Sequence, residues 1–561
     1  KCANILQSKG VQRGDRVLLY LPMVFQLPVA MLACARIGAV HVNVPGGMSA
    51  EGLAQRVALS GAELIITVDG FWRGTKLIKA KETVDRAIAL CKERGHEVKL
   101  TLMISHLSPN PGTPPPEAHE QFIGRRPCYF LNAPFNPEQD EWWADNFCKA
   151  SPVCDVEWMD AEDPLFISFH HDDKEDKLQA AVYTVGGFML QAYSSFKHLF
   201  DYRQGDDDHD DINENIFLCL HDYSTITGLT YGVYGPLLNG ATVLQFEGIG
   251  SHPDPGRIWA IIQNYQVEKV LLTPSEVRLA MGSDPSYISS WNKSSLRLIA
   301  VAGEPLSAPE RKFLLAEIGS NSTPLIEVAV SPLAGGAVVS GFPGIFSSTV
   351  VPYFGVDLVL VDKKGKEIAG SGTGFLCTRQ PLPGMVRYYY EDNSGEKFAK
   401  LFKRIPGKFV TEYVVARNND GEYVILGKES DVLFIEDEFV SPGAVETTLM
   451  SHSAITDAAV VCVDGKFRAL VTVDWGCKLE KEMAKELREI AINLLNGAHL
   501  EVQSTDVIPR NTHGAIARAA LRRIIGQQSK ESPAFDGSLY DLVDEAVVAC
   551  EKLLENPNSL F

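Results

Sequence analysis

A chain of 561 residues, 45% hydrophobic and 22% charged, has the apolar content of a folded globular protein and the length for two or more cores. Its formal net charge of −19 and pI near 5.2 oppose nucleic acid or an anionic membrane as the main partner, since both would be repelled on approach. No apolar run reaches membrane-spanning length, and the eleven cysteines form no C-x-x-C pair, which predicts reduced thiols in a cytoplasmic or organelle-matrix setting.

The first residue is Lys1, and KCANILQSKG reads as the second half of an amphipathic helix closing at Gly10; the expectation is a chain that begins inside a longer protein, with any targeting segment on the preceding part. Apolar strand-like runs then alternate with helical ones. RVLLYLPM ends at Met23, QLPVAMLACARIGA covers 26–39, AVHVNV covers 39–44, AEGLAQRVALSG covers 50–61 and ELIITV covers 63–68. Such alternation predicts parallel βαβ units with helices on the sheet faces, and it returns in NGATVLQF (239–246), VEKVLLT (267–273) and SLRLIAVAG (295–303). The Pro-rich, polar stretch 105–145 reads as a surface excursion. The acidic run DDDHDD (206–211) lacks the ligand spacing of a calcium loop and reads as solvated.

A break near Gly427–Asp431 precedes AAVVCV (458–463), RALVTV (468–473) and a helical EKEMAKELREIAINLLN (480–496), a smaller α/β unit of about 100 residues. The last segment, SLYDLVDEAVVACEKLLEN (538–556), places Leu539, Leu542, Val543, Ala546, Val547, Cys550, Leu553 and Leu554 on one helical face. Packing on the protein itself is expected ahead of docking a partner. The division read from these features is 1–429, 430–528 and an extension 529–561.

One stretch conflicts with its surroundings. In EDPLFISFHHDDKEDKLQAAVYTVGG (162–187) a strand pattern leads into what looks like a nucleotide-phosphate loop, yet 170–177 holds Asp172, Asp173, Glu175 and Asp176, two lysines and no glycine. Side chains crowd the backbone there, and the net charge repels a triphosphate.

LYLPM (19–23), AMLACARIGAVH (30–41), VYGPLLNGAT (233–242), FEGIGSHPDPGRIW (246–259), VAGEP (301–305) and QPLPGMVR (380–387) resemble the acetyl-CoA synthetases of the adenylate-forming superfamily, in order from residue 1 to about 526. The resemblance implies an α/β fold: a large N-terminal domain of β-sheets layered with helices and a small, mobile C-terminal α/β domain. It also implies a carboxylate activated by Mg-ATP to an acyl-adenylate and then passed to CoA. Fold and function separate at the site.

The family's glycine-rich phosphate loop falls on 170–179. Its magnesium carboxylate falls on Leu333, a phosphate-binding threonine on Pro332 and the tryptophan of the acetate pocket on Val330, all within EVAVSPLAGG (327–336). In VTEYVVARNNDGEYVILGKESD (410–431) the ribose-binding aspartate is Tyr413, the phosphate-gripping arginine Lys428 and the hinge aspartate Ser430. Glu436, Asp437, Glu438 and Phe439 replace a segment serving CoA and phosphate, and in THGAIARAALRR (512–523), with Gly514 setting the register, Ala515 stands at the catalytic lysine. Losing one such preorganised donor costs about 10²–10³ in rate.

Matches survive at Gly303, Glu304 and Pro305 on the adenine side and at Gly46, Gly47 and Arg73 beside the CoA nucleotide. The leading reading is a catalytically inactive acetyl-CoA synthetase homologue, with no catalytic residue, metal ligand or resident cofactor, serving as a structural or regulatory subunit with protein partners. The alternatives are a non-catalytic sensor of CoA, an acyl group or an adenine nucleotide, and a residual short-chain acyl-CoA ligase.

Overall fold

The computed structural model describes residues 1–107, 131–172, 177–202, 216–320, 322–344, 349–436, 438–474, 476–511, 515–527 and 542. Every residue of strand Leu64–Val68 is buried, as is every residue of Val40–Pro45, because both belong to a sheet covered on both faces. Between them, helix Ala50–Ser60 starts where the Ser49 hydroxyl accepts from the Gly52 N–H and stops at Gly61, whose φ of 64° is the left-handed conformation of a helix terminus.

Those strands lie in an eight-stranded sheet ordered Tyr388–Tyr389, Lys177–Thr184, Pro164–Asp172, Val40–Pro45, Arg16–Leu21, Leu64–Val68, Leu100–Ile104, Asp140–Trp142. The run from Pro164–Asp172 to Asp140–Trp142 is parallel; Lys177–Thr184 pairs antiparallel with both Pro164–Asp172 and Tyr388–Tyr389. A seven-stranded sheet follows, ordered Thr242–Leu244, Ile216–Cys219, Lys269–Leu272, Leu298–Ala302, Leu325–Ser331, Gly336–Ser340, Val351–Pro352. Its first five strands are parallel. Chain order reverses direction at Arg16–Leu21 in the first sheet and at Ile216–Cys219 in the second, and crevices at such switch points receive ligands in open α/β sheets. A four-stranded antiparallel sheet, Leu358–Val361, Gly372–Thr378, Phe409–Arg417 and Tyr423–Lys428, completes the N-terminal lobe.

Residues 433–527 build a C-terminal lobe on the three-stranded sheet of Ile455–Val463, Lys466–Val473 and Leu500–Ser504. Alternate residues feed opposite faces. Val460 and Val471 join a cluster with helices Pro442–Met450 and Lys481–Ala491, whereas Val461 and Leu470 join Leu521 and Ile524 of helix Arg518–Gln527.

Two expectations change. The stretch 105–145 is more than an excursion, because Asp140–Trp142 returns as an edge strand held by a buried Lys81–Asp140 pair at 2.8 Å. Within the slot read as a loop at 170–179, the described residues 170–172 and 177–179 extend two paired strands, with His170 opposite Gln179 and Asp172 opposite Lys177. The terminal helix 538–556 lies outside the described residues except at Leu542, which is buried with Ile508 and Leu521 and bridges to Asn511. DDDHDD also lies outside them.

Candidate functional site

The carboxyl ends of the strands around both switch points open into a cavity of about 950 Å³. Pro22 follows Arg16–Leu21, Gly46 follows Val40–Pro45, and Arg73 ends strand Phe71–Arg73; His221 and Phe246 come from the second sheet's loops. The C-terminal lobe supplies the opposite wall, including Thr447, Asp457 and Arg510. Gly46 has little room for a side chain: a Cβ there would stand 3.0 Å from Phe71 Cζ and 3.3 Å from the Leu21 carbonyl oxygen. Deeper in the wall, burial pushes the Glu276 carboxyl up to about 7, although the Thr273 N–H donates to it at 3.0 Å in a helix capping box.

The positions that the resemblance assigns to the ribose, the magnesium and the acetate pocket lie elsewhere and are packed. Tyr413, at the ribose carboxylate, is 3% exposed, and its hydroxyl donates to the Val330 carbonyl at 3.0 Å. Burial pushes its phenol up to about 12. The Tyr183 hydroxyl donates to the Pro332 carbonyl at 2.8 Å, and the Val386 N–H donates to the Leu333 carbonyl at 2.9 Å. Val330, Leu333 and Tyr413 belong to one continuous apolar core. The turn beneath them is tight: Gly335 has φ of +70°, and a Cβ on it would come within 1.6 Å of the Gly384 carbonyl oxygen.

Across this packing, His170 Nε2 lies 3.8 Å from Glu412 Oε1. Burial favours the neutral form of Lys428, but Tyr413, Glu412, Asp431 and Glu304 outweigh it and raise its pKa. Ala515 is held through its backbone, donating to the Asn511 side chain at 3.0 Å, and brings no cation.

Magnesium and ATP do not fit these residues. An alkyl Leu333 supplies no oxygen ligand to a hard cation, paired strands replace a loop of open amides, and a buried, hydrogen-bonded tyrosine fills the ribose position. Among the described residues no cluster of three His, Cys, Asp or Glu side chains could hold a metal. No helix among them is long and apolar enough to cross a membrane.

Of the residues singled out from sequence, Gly46 and Arg73 share the cavity, with Gly47 buried beside it at φ of 94°. Gly303, at φ of 118°, turns the chain after strand Leu298–Ala302 and directs Glu304 to Arg278, a cavity-wall residue. Pro305 is half-buried in the same turn. Sequence reasoning missed Arg278 and Arg518, both bound to Glu304, at 2.9 Å and 3.2 Å. The Ser307-x-x-Glu310 capping box beside them was the readable signal.

The family described as AMP-binding enzyme matches residues 1–169 and 179–390. The chain is 33% identical over 566 residues to an acetyl-coenzyme A synthetase of Drosophila melanogaster, covering 99% of this chain and 80% of that protein. It is 32% identical to the chloroplastic/glyoxysomal acetyl-coenzyme A synthetase of Arabidopsis thaliana (97% and 70%) and 34% identical to an acetyl-coenzyme A synthetase of Bartonella quintana (93% and 77%). The acetoacetyl-CoA synthetase from Streptomyces lividans shares the fold, with a TM-score of 0.79 at 18% identity over 99% of this chain and 80% of that one. With a family match over most of its length and relatives above 30% identity, the chain belongs to the AMP-binding enzyme family, within the adenylate-forming superfamily that includes the acetyl-CoA synthetases.

Proposed function

We propose that this chain is a member of the family that does not form an acyl-adenylate, and that it serves as a structural or regulatory subunit with protein partners in the cytoplasm or an organelle matrix. The observation that carries this is Tyr413, buried and hydrogen-bonded to Val330 where the resemblance places a ribose-binding carboxylate. The absence of an oxygen ligand at Leu333 and of an ammonium at Ala515, and the strand pairing of 170–172 with 177–179 in place of open amides, support it, since each removes stabilisation of charge that develops in the transition state. Such losses do not add simply, but they act on metal, phosphate and ribose together.

A second reading, an acyl-CoA ligase that handles its nucleotide differently, is favoured by relatives named as acetyl-coenzyme A synthetases and by the cavity between the lobes. A non-catalytic CoA or acyl sensor would use that cavity through Gly46 and Arg73. Acetate-dependent exchange of labelled pyrophosphate into ATP separates catalysis from its loss. Exchange at background is expected. Exchange at the rate of a working synthetase would replace the first reading by the second.

A further inference from the structure

Five ionic side chains alternate in sign through the joint between the lobes. Glu310 accepts from Arg278 Nε at 2.8 Å, and both terminal nitrogens of Arg278 reach Glu304 Oε2 at 2.9 Å. The other Glu304 oxygen accepts from Arg518 at 3.2 Å, and Arg518 in turn grips both oxygens of Glu446 at 2.7 Å. Of these links, Glu304–Arg518 crosses between the lobes. The Arg518 side chain is 6% exposed and that of Glu304 14%. Burial opposes ionisation of Glu304, but Arg278 and Arg518 outweigh it and hold its carboxyl down at about 2.

A second anchor lies on another element. Phe439 meets Phe375 of the four-stranded sheet edge to face, with ring centroids 5.4 Å apart, and Lys363 lies over Phe434 and Phe439. Between the anchors the connecting segment is tied on both sides: Glu429 makes a two-pronged pair with Arg404, and Asp431 faces Arg522 at 3.5 Å and Arg518 at 3.9 Å. One contact would leave an axis of rotation; two contacts and a tethered connection do not.

We propose that Glu304 and Arg518 form a clasp that fixes the C-terminal lobe in this one orientation, so that the cavity between the lobes is a standing chamber. Rotation would leave Arg518 with Glu446 but part Glu304 from one of its two cations, breaking an ion pair that is largely buried in this arrangement. The clasp thus opposes the mobility that the resemblance implies for the smaller domain, and it holds whether or not the chain turns over substrate.

The test uses the full chain, with small-angle X-ray scattering and the rate of tryptic cleavage after Lys428 as readouts. Wild-type scattering should fit one arrangement, with slow cleavage. Glu304→Gln should require a spread of arrangements and be cut at least tenfold faster, and Arg518→Lys, which keeps the charge but loses the fork, should fall between them. Arg379→Gln, whose partners Asp357 and Glu367 both lie in the N-terminal lobe, should match wild type. Wild-type scattering that demands several arrangements would overturn the clasp whatever the variants do. So would a folded Glu304→Gln indistinguishable from wild type in both readouts.

Discussion

The Tyr413 hydroxyl donates to the Val330 carbonyl at 3.0 Å, joining strand Phe409–Arg417 of the four-stranded sheet to strand Leu325–Ser331 of the seven-stranded one. The side chain is therefore a strut between sheets as well as an obstacle. Tyr413→Phe removes one buried hydrogen bond and should lower the unfolding free energy by about 1–2 kcal/mol. Tyr413→Ala also leaves a cavity and should cost about 3–5 kcal/mol. Denaturant unfolding measures both, and an alanine variant as stable as wild type would show that the ring is not packed as described.

Paired strands at 164–172 and 177–184 make a prediction about backbone amides. His170 stands opposite Gln179 and His171 opposite Leu178 in the ladder, so amides through both strands should exchange slowly with deuterium. Exchange within seconds across 168–171 and 178–181 would mean an open loop.

Lys81 and Asp140 are each 1% exposed and 2.8 Å apart, with Asp85 as a further partner of the lysine. Removing one member of a buried pair strands a charge, so Asp140→Ala should cost about 3–5 kcal/mol. The exposed Lys79–Glu82 pair offers the contrast: Glu82→Gln should change stability by less than about 0.5 kcal/mol. Equal effects at the two sites would contradict the anchoring of the edge strand.

His41 sits stacked against Phe166, with Nδ1 2.8 Å from Asn43 Oδ1 and Nε2 2.8 Å from the Tyr234 hydroxyl. Burial pulls its imidazole from 6.5 down to about 4, against the Asn43 hydrogen bond, which raises it. Below about pH 6.5 the unfolded chain gains a proton that the folded chain refuses. The stabilisation is therefore complete above that pH and is lost as pH falls toward 4, by up to about 1.4 kcal/mol per unit. Between pH 7 and 4.5, wild type should lose about 2–3 kcal/mol more than His41→Gln. Parallel pH profiles would remove His41 as the cause.

The parallel strands were legible because burial on both faces writes a continuous apolar run, as in Leu64–Val68, and Ser49 and Gly61 marked the ends of the helix before it. Strand Asp140–Trp142 was not: three residues reading DEW have no period, and their place comes from Lys81, about sixty positions away in sequence. HHDDKEDK carried the composition of a loop, and only the ladder continuing from Phe166 and Val182 shows that His170–Asp172 and Lys177 at its two ends are strand. Leu333, Tyr413 and Ala515 could be singled out because a resemblance said what to expect at each. Glu304 was singled out for the adenine side, but its partners Arg278 and Arg518 come from different elements, and in sequence each of the two resembles an ordinary surface charge.

The central claim, that the site for ATP has become part of the core, is tested most directly by calorimetric titration of Mg-ATP into the full chain at neutral pH. The packing of Tyr413 against Val330 and of Leu333 within the same core predicts no saturable heat up to millimolar ATP. Saturable binding with a micromolar Kd, displaced by AMP, would contradict it.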